Sequence, residues 1–320
     1  MGSKSESDEM IPCVEISREK LGLEEGSEEW KKMSKRVKEA CENHGCFFLI
    51  YDEIPKVQCE DMYMALKALF DLPQETKKKH TSPKPYRGYN SDCPIIPLCQ
   101  SFGIDNAPLS NTVEAFTDLM WPQGNPTFCE TLKSTSSKML EATSVILKMI
   151  LEGYGLPKHY SSDVEDMNWN CNFRLMKYKA PEGDKDFEAA LLPHTDKSSL
   201  TILSQNGVQG LQVLSKTNKW IELKIPEEGF VVIVGDVLKA WSNGRLHAAT
   251  HRVMMSGDKE RFSFALFAVP KEEMKIEVPS ELVDDKMHPL RYKPFNYGDY
   301  FQYFISTLKE DALDAFASVS

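Results

Sequence analysis

Apolar side chains recur at steps of three and four through Glu28 to Asn43. There Trp30, Met33, Val37 and Ala40 form one stripe, with Lys31, Lys32, Lys35 and Lys38 on the opposite face. The spacing predicts an amphipathic helix that stops at Gly45. The continuous apolar run Cys46 to Tyr51 reads as a buried strand, and a second helix is expected from about Lys56 to Phe70, closed by Asp71-Leu72-Pro73. The longest helical run covers about 128–153, with Leu132, Met139, Leu140, Val145, Ile146, Met149 and Ile150 at near-helical spacing; Gly153, Gly155 and Pro157 end it. From Asn172 the period falls to two. β-Rich segments at 173–178, 200–204, 211–214, 220–223, 230–234, 251–255 and 261–269 are separated by turn signals such as Asn206-Gly207, Asn243-Gly244 and Ser256-Gly257. Short strands in such a series imply antiparallel sheets closed as a sandwich or jelly roll. The stretch 178–188 reads as a surface loop, and a terminal helix over about 297–316 is expected to cover the outside.

With no internal repeat and no low-complexity tract, residues 1–320 read as one mixed α and β domain. Its parts are a mainly helical half at 1–165, a jelly-roll core at 166–295 and a C-terminal helix at 296–320. The 38 Lys+Arg against 48 Asp+Glu give a net charge of −10, which opposes binding to nucleic acid or anionic membranes. No run of about 18 apolar residues occurs. The polar, acidic start lacks a signal peptide's pattern, and Glu6 stands where myristoylation of Gly2 wants Ser or Thr. A cytoplasmic monomer acting on a small molecule is the expectation. The eight cysteines contain no C-x-x-C, so they suggest reduced, buried thiols and neither a zinc ribbon nor a redox dithiol.

His194-Thr195-Asp196 is the sharpest local signal. In an extended segment residues i and i+2 share a face, so imidazole and carboxylate project together. Two His and one carboxylate on one face of an octahedron leave three positions open, the arrangement of non-haem Fe(II) oxygenases. A bare H-x-D more often describes a surface turn or a satisfied polar pair. Among the other histidines (His44, His80, His159, His247, His251 and His288) only His247 and His251 fall in the β half, and their i, i+4 spacing leaves the choice between them open. Arg261-Phe262-Ser263 opens the last strong strand, placing a guanidinium fork beside a hydroxyl, a pair suited to capturing a carboxylate. Lys77-Lys78-Lys79-His80 reads as a solvated basic run, and Gly153-Tyr154-Gly155 precedes no helix and is no dinucleotide fingerprint.

The order His194-x-Asp196, His251-Arg252-Val253, Arg261-x-Ser263 resembles the plant 2-oxoglutarate- and Fe(II)-dependent dioxygenases. The likeness runs over nearly the whole chain, through His44-Gly45-Cys46-Phe47, Pro85-Tyr86-Arg87-Gly88-Tyr89, Gly210-Leu211-Gln212-Val213 and Ser242-Asn243-Gly244-Arg245. Within that superfamily, Trp121-Pro122-Gln123-Gly124-Asn125 and Leu175-Met176-Lys177-Tyr178 look most like the AOP-like branch of glucosinolate side-chain-modifying dioxygenases and steroidal glycoalkaloid hydroxylases. The resemblance implies a double-stranded β-helix, or jelly roll, with surrounding helices. It implies that His194, Asp196 and His251 hold Fe(II), His251 being the histidine followed by Arg-Val, and that Arg261 and Ser263 bind the distal carboxylate of 2-oxoglutarate with help from Tyr178. Met176 stands where many relatives carry an asparagine that contacts the cosubstrate.

The implied reaction consumes O2 and 2-oxoglutarate, releases CO2 and succinate, and oxidises a C–H bond of a small specialised metabolite, hydroxylation being the expected outcome and ascorbate an accessory reductant. Two other readings stand beside it: a zinc-dependent hydrolase, which shares the ligand types but has no use for the Arg261 anchor, and a catalytically silent ligand-binding relative. Aromatic candidates for the pocket are Phe102, Phe116, Trp121, Trp241 and Phe267, with Phe267 sharing a strand face with Arg261 and Ser263. On that face Ala265 and Phe267 carry no charge, so a small, largely uncharged substrate is expected.

Overall fold

A computed structural model describes residues 10–17, 24–91, 93–109, 111–168, 170–182 and 187–319. The strands are β1 (Cys13–Ile16), β2 (Cys46–Tyr51), β3 (Tyr89–Asn90), β4 (Cys99–Asp105), β5 (Asn170–Tyr178), β6 (Glu188–His194) and β7 (Leu200–Gln205). They continue with β8 (Leu211–Leu214), β9 (Trp220–Glu222), β10 (Gly229–Val234), β11 (His251–Met255), β12 (Arg261–Val269), β13 (Lys275–Ile276) and β14 (Phe295–Asn296). The helices are α1 (Glu28–Asn43), α2 (Lys56–Phe70), α3 (Gln74–Lys77), α4 (Thr112–Met120), α5 (Pro126–Tyr154), α6 (Ser161–Met167), α7 (Asp236–Trp241), α8 (Tyr297–Thr307) and α9 (Ala312–Ala317).

Eight strands form one sheet in the order β1-β2-β10-β7-β12-β5-β4-β3, and four form a second in the order β6-β11-β8-β9. Pairing is antiparallel throughout both sheets except between β1 and β2. The large sheet separates two apolar layers, and the period of two in its strands assigns side chains to them. On β12, Phe262, Phe264, Leu266 and Ala268 pack with the helices, whereas Ala265 packs with residues of the small sheet. On β5 the helix side takes Cys171, Phe173 and Leu175, and the inner side takes Met176 and Tyr178. Helix α5 follows from its sequence: the Asn125 side chain accepts from the Phe128 amide, Pro126 begins the first turn, and Gly155 ends it in the left-handed region at φ 65°. No helix among the described residues is long and apolar enough to cross a membrane.

Several expectations change. Besides the strand expected at Cys46–Tyr51, the mainly helical half gives β1, β3 and β4 to the large sheet. The single terminal helix is two, broken where Leu308 adopts a left-handed φ of 50°. Strands β4 and β6 and helix α4 were not expected from the pattern; β6 (EAALLPH) has no β-branched residue and a proline beside its last position. Of the loop expected at 178–188, residues 183–186 lie outside the described residues. Lys77 is no solvated residue: it is buried, and its ammonium donates to the Phe70 carbonyl at 2.7 Å.

Candidate metal centre and the adjoining cavity

His194 ends β6 and His251 begins β11, and the two are direct partners in the antiparallel ladder. Asp196 lies in the turn that follows β6. The nearer Asp196 oxygen is 3.7 Å from Nε2 of His194 and 3.7 Å from Nε2 of His251, and one ligand atom from each residue falls within 4.8 Å of the others. The imidazole rings are 4.3 Å apart, centroid to centroid. Both Nε2 atoms are directed by what the other nitrogen does. His194 Nδ1 donates to the Leu192 carbonyl at 2.8 Å and His251 Nδ1 to the Ala249 carbonyl at 3.0 Å, leaving each Nε2 with its lone pair. The second Asp196 oxygen accepts from the Thr201 hydroxyl at 2.7 Å. Burial, then the neighbouring His251, pushes His194 down to about 4, against the pull of Asp196. Burial acts to raise the Asp196 carboxyl, but His251, His194 and the Thr201 hydroxyl outweigh it and hold it below its ordinary value. Two imidazoles held through Nδ1 and a carboxylate are the donor set that imidazole- and oxygen-binding transition metals take. His194 is the open member, with 35% of its side chain exposed against 5% for Asp196 and 7% for His251.

His247 is not part of this cluster. It lies in the loop before β11, where its amide donates to the Cys41 carbonyl. Gly45 passes so close, at φ 70°, that a Cβ would stand 2.2 Å from the His247 carbonyl oxygen. Burial, with Lys216 and Lys239 nearby, pushes the His247 imidazole down to about 4.

A cavity of about 450 Å³ opens beside the cluster, with His194 and Asp196 on its wall together with Tyr178, Met176, Arg174 and Phe267. Arg261 and Ser263 are fully buried just behind that wall. The Arg261 guanidinium lies 4.9 Å from the Tyr178 ring centroid, donates from Nε and Nη2 to Gln205 Oε1 at 3.1 and 2.8 Å, and from Nη1 to Ser263 Oγ at 3.2 Å. No carboxylate among the described residues pairs with it. Burial raises the Tyr178 hydroxyl above its ordinary value, so it remains a neutral donor, reaching Met176 Sδ at 3.6 Å.

Four of the five aromatic candidates are elsewhere. Phe102 and Phe116 pack against each other and against His80 on the helix side of the large sheet. Trp121 closes α4 and packs on Phe128, and Trp241 is buried with its indole N–H on Asp163 at 3.1 Å. Only Phe102 has sequence neighbours on the cavity, Ser101 and Cys99; nothing from α4, Trp121 or α7 lines it. Phe267 alone among the five lines the cavity. The pattern missed Gln205, Thr201 and Arg174; Arg174 was within reach, since it stands four residues before Tyr178 on one strand and so shares its face.

A jelly roll with a two-histidine, one-carboxylate cluster at the mouth of its cavity defines a non-haem iron oxygenase architecture. The sequence pattern of the 2OG-Fe(II) oxygenase superfamily matches residues 169–270, and that of the N-terminal region of the non-haem dioxygenases in morphine synthesis matches residues 11–93. The chain is 36% identical to a probable 2-oxoglutarate-dependent dioxygenase, AOP1.2, of Arabidopsis thaliana, covering 96% of each chain. It belongs to the 2OG-Fe(II) oxygenase superfamily and is a 2-oxoglutarate-dependent dioxygenase. That membership removes the zinc hydrolase. Among solved structures, the dioxygenase for auxin oxidation of rice superposes with a TM-score of 0.81 at 31% identity, covering 96% of this chain and 100% of that one. The 2-oxoglutarate binary complex of dioxygenase for auxin oxidation 1 from Arabidopsis thaliana gives 0.76 at 27%, covering 88% and 100%.

Proposed function

We propose that His194 and His251, each through Nε2, and the Asp196 carboxylate hold Fe(II), that Arg261 and Ser263 take the distal carboxylate of 2-oxoglutarate beside Tyr178, and that the enzyme hydroxylates a small specialised metabolite in the adjoining cavity. The observation that carries the cosubstrate assignment is Arg261: a fully buried guanidinium whose hydrogen-bond partners, Gln205 and Ser263, are both neutral. A buried cation without a counter-charge is costly, and an anionic ligand satisfies it. The iron supplies the oxygen chemistry when bound. The chain's own task is to keep both Nε2 atoms and one carboxylate oxygen aimed at a common point, to hold Asp196 ionised through His251, His194 and Thr201, and to shut water out with the apolar inner layer.

The test is turnover of 2-oxoglutarate to succinate, with Fe(II) affinity read separately by anaerobic titration. His194→Ala, Asp196→Ala and His251→Ala should each abolish turnover and weaken iron binding by about 10–100-fold or more. His247→Ala should retain a measurable fraction of both. Equal loss in the His247 and His251 variants would remove the assignment.

A further inference from the structure

Along the inner face of the large sheet two arginines stand in adjoining strands. Arg261 pairs across the ladder with Tyr178, and Ala265 pairs with Arg174, so the two cationic positions are four residues apart, about 13 Å along the strands. The two therefore stand at different levels of the sheet. Arg261 lies at the buried end, and Arg174 lies on the wall of the open cavity that His194 and Asp196 also line.

Among the described residues no carboxylate pairs with Arg174. Its Nη2 donates to the Ser101 hydroxyl at 3.3 Å, and its buried Nε has no hydrogen-bond partner among the described residues. The other cations on the cavity wall are differently placed: Arg87 is paired with Asp105, Lys197 with Asp236, and Lys309 is exposed at the rim. The guanidinium is held between two rings, Tyr86 at 5.4 Å and Phe267 at 5.7 Å from their centroids. Tyr86 takes a left-handed φ of 63°, uncommon for a bulky residue. It is carried there by a close crossing in which a Cβ on Gly103 would meet the Tyr86 carbonyl oxygen at 1.9 Å. Two neighbouring aromatic rings and a planar guanidinium with no counter-ion among the described residues suit a planar anion. Beyond the rings the lining is apolar, with Ile95, Ile96, Leu192 and Phe304.

We propose that Arg174 is the specificity-determining anchor for a carboxylate on the organic substrate, and that the enzyme acts on small amphipathic monocarboxylates whose apolar body lies between Phe267 and the terminal helix. This rests on the reading of Arg261 as the cosubstrate anchor. It also replaces the uncharged substrate expected from the β12 face: that strand does present only Ala265 and Phe267 there, but the strand paired with it presents a cation.

Phenylacetate, 4-phenylbutanoate and octanoate, each beside its methyl ester, are titrated calorimetrically into the protein at saturating 2-oxoglutarate under argon, with and without Fe(II). In the wild-type protein at least one acid should bind about ten-fold or more tightly than its ester. The advantage should fall to about one-fold in Arg174→Gln and survive in part in Arg174→Lys, whose charge remains but whose fork does not. Esters that bind as well as acids in the wild type, acids that bind only by displacing 2-oxoglutarate, or an acid advantage that persists in Arg174→Gln would each overturn the proposal. So would a rise in the 2-oxoglutarate dissociation constant of Arg174→Gln as large as that for the acid. The wild-type comparison needs no variant to fold. Failure of 2-oxoglutarate itself to bind the wild type would instead sink the reading of Arg261, while the acid-to-ester ratio still judges Arg174.

Discussion

Each metal-facing histidine donates Nδ1–H to the carbonyl two residues before it, His194 to Leu192 and His251 to Ala249, so one local device orients both rings. The backbone thereby fixes the tautomer, and each Nε2 is available as a ligand without a carboxylate partner. At Arg261 the side chain itself is decisive. Its fork makes three hydrogen bonds in a fully buried site, a geometry that a lysine ammonium on a flexible stem cannot reproduce. Arg261→Lys should raise the KM for 2-oxoglutarate by about ten-fold or more, equivalent to about 1.4 kcal/mol, and raise that for the organic substrate much less. An unchanged 2-oxoglutarate KM in steady-state succinate assays would place the anchor elsewhere. His247 sets a pH dependence instead. Its imidazole is pushed down to about 4 from an ordinary 6.5, so between those values the unfolded chain binds a proton that the folded one refuses. The stability this neutral histidine retains is therefore complete above about pH 6.5 and declines as pH falls towards about 4, by about 1–3 kcal/mol in all. His247→Asn should flatten the fall in urea midpoint between pH 7.5 and 5. A slope equal to the wild type's would show that His247 is not the titrating group.

At the scale of elements, the breaks matter as much as the runs. Leu308 ends α8 at φ 50°, a left-handed conformation that costs a residue with a Cβ roughly 1 kcal/mol relative to glycine, and its side chain is exposed and so recovers little by packing. Leu308→Gly should leave stability unchanged or raise it by up to about 1 kcal/mol in urea unfolding; a loss above that would mean the side chain holds the rim of the cavity shut. The periodicity of three and four located α1, α2 and α5, each of which buries one stripe, whereas β5, β7, β8 and β10 to β12 were located as β-rich segments between turn signals, β7 and β10 being buried on both faces. The elements the pattern missed bury little or read ambiguously. Strand β6 lacks β-branched residues and β4 carries Gly103, so neither announces a strand, although β6 ends on a metal-facing histidine. The site was legible where chemistry is rare in sequence: His194, Asp196, Arg261 and Ser263 stand out by residue type and spacing, whereas spacing left His247 and His251 level and only the family resemblance chose His251. Phe102, Phe116 and Trp241 do not stand out, since an aromatic side chain is as common in a packed layer as on a cavity wall, and only the strand partner or helix face separates the two. Arg174 shares a strand face with Tyr178 and so was within reach of the pattern, but its pairing with Ala265 is a tertiary fact.

Across the whole molecule, the turn carrying Asp196 is joined to the terminal helices through a single carboxylate. Asp236, at the start of α7, accepts on one oxygen from Lys197 at 2.7 Å, Tyr300 of α8 at 2.6 Å and Thr195 at 3.2 Å, and its amide donates to the Asp196 carbonyl at 2.8 Å. The Lys197 ammonium also lies 4.8 Å from the centroid of the Phe304 ring. Lys197 and Asp236 are 9% and 4% exposed, so this is a buried ion pair and not a surface one. Removing one partner of such a pair leaves a charge in a low-dielectric setting, which costs about 3–5 kcal/mol, whereas removing both charges together can be nearly neutral. Lys197→Met and Asp236→Asn should each lower stability by about that amount, and the double variant should be far less destabilised than the sum of the two. Because the same network positions the backbone at Asp196, iron affinity should fall with stability in the singles and recover in part in the double, where the turn is no longer pulled by an uncompensated charge. Urea unfolding and anaerobic Fe(II) titration of the three proteins form the measurement. Strictly additive losses would mean that Lys197 and Asp236 act independently and not as a pair.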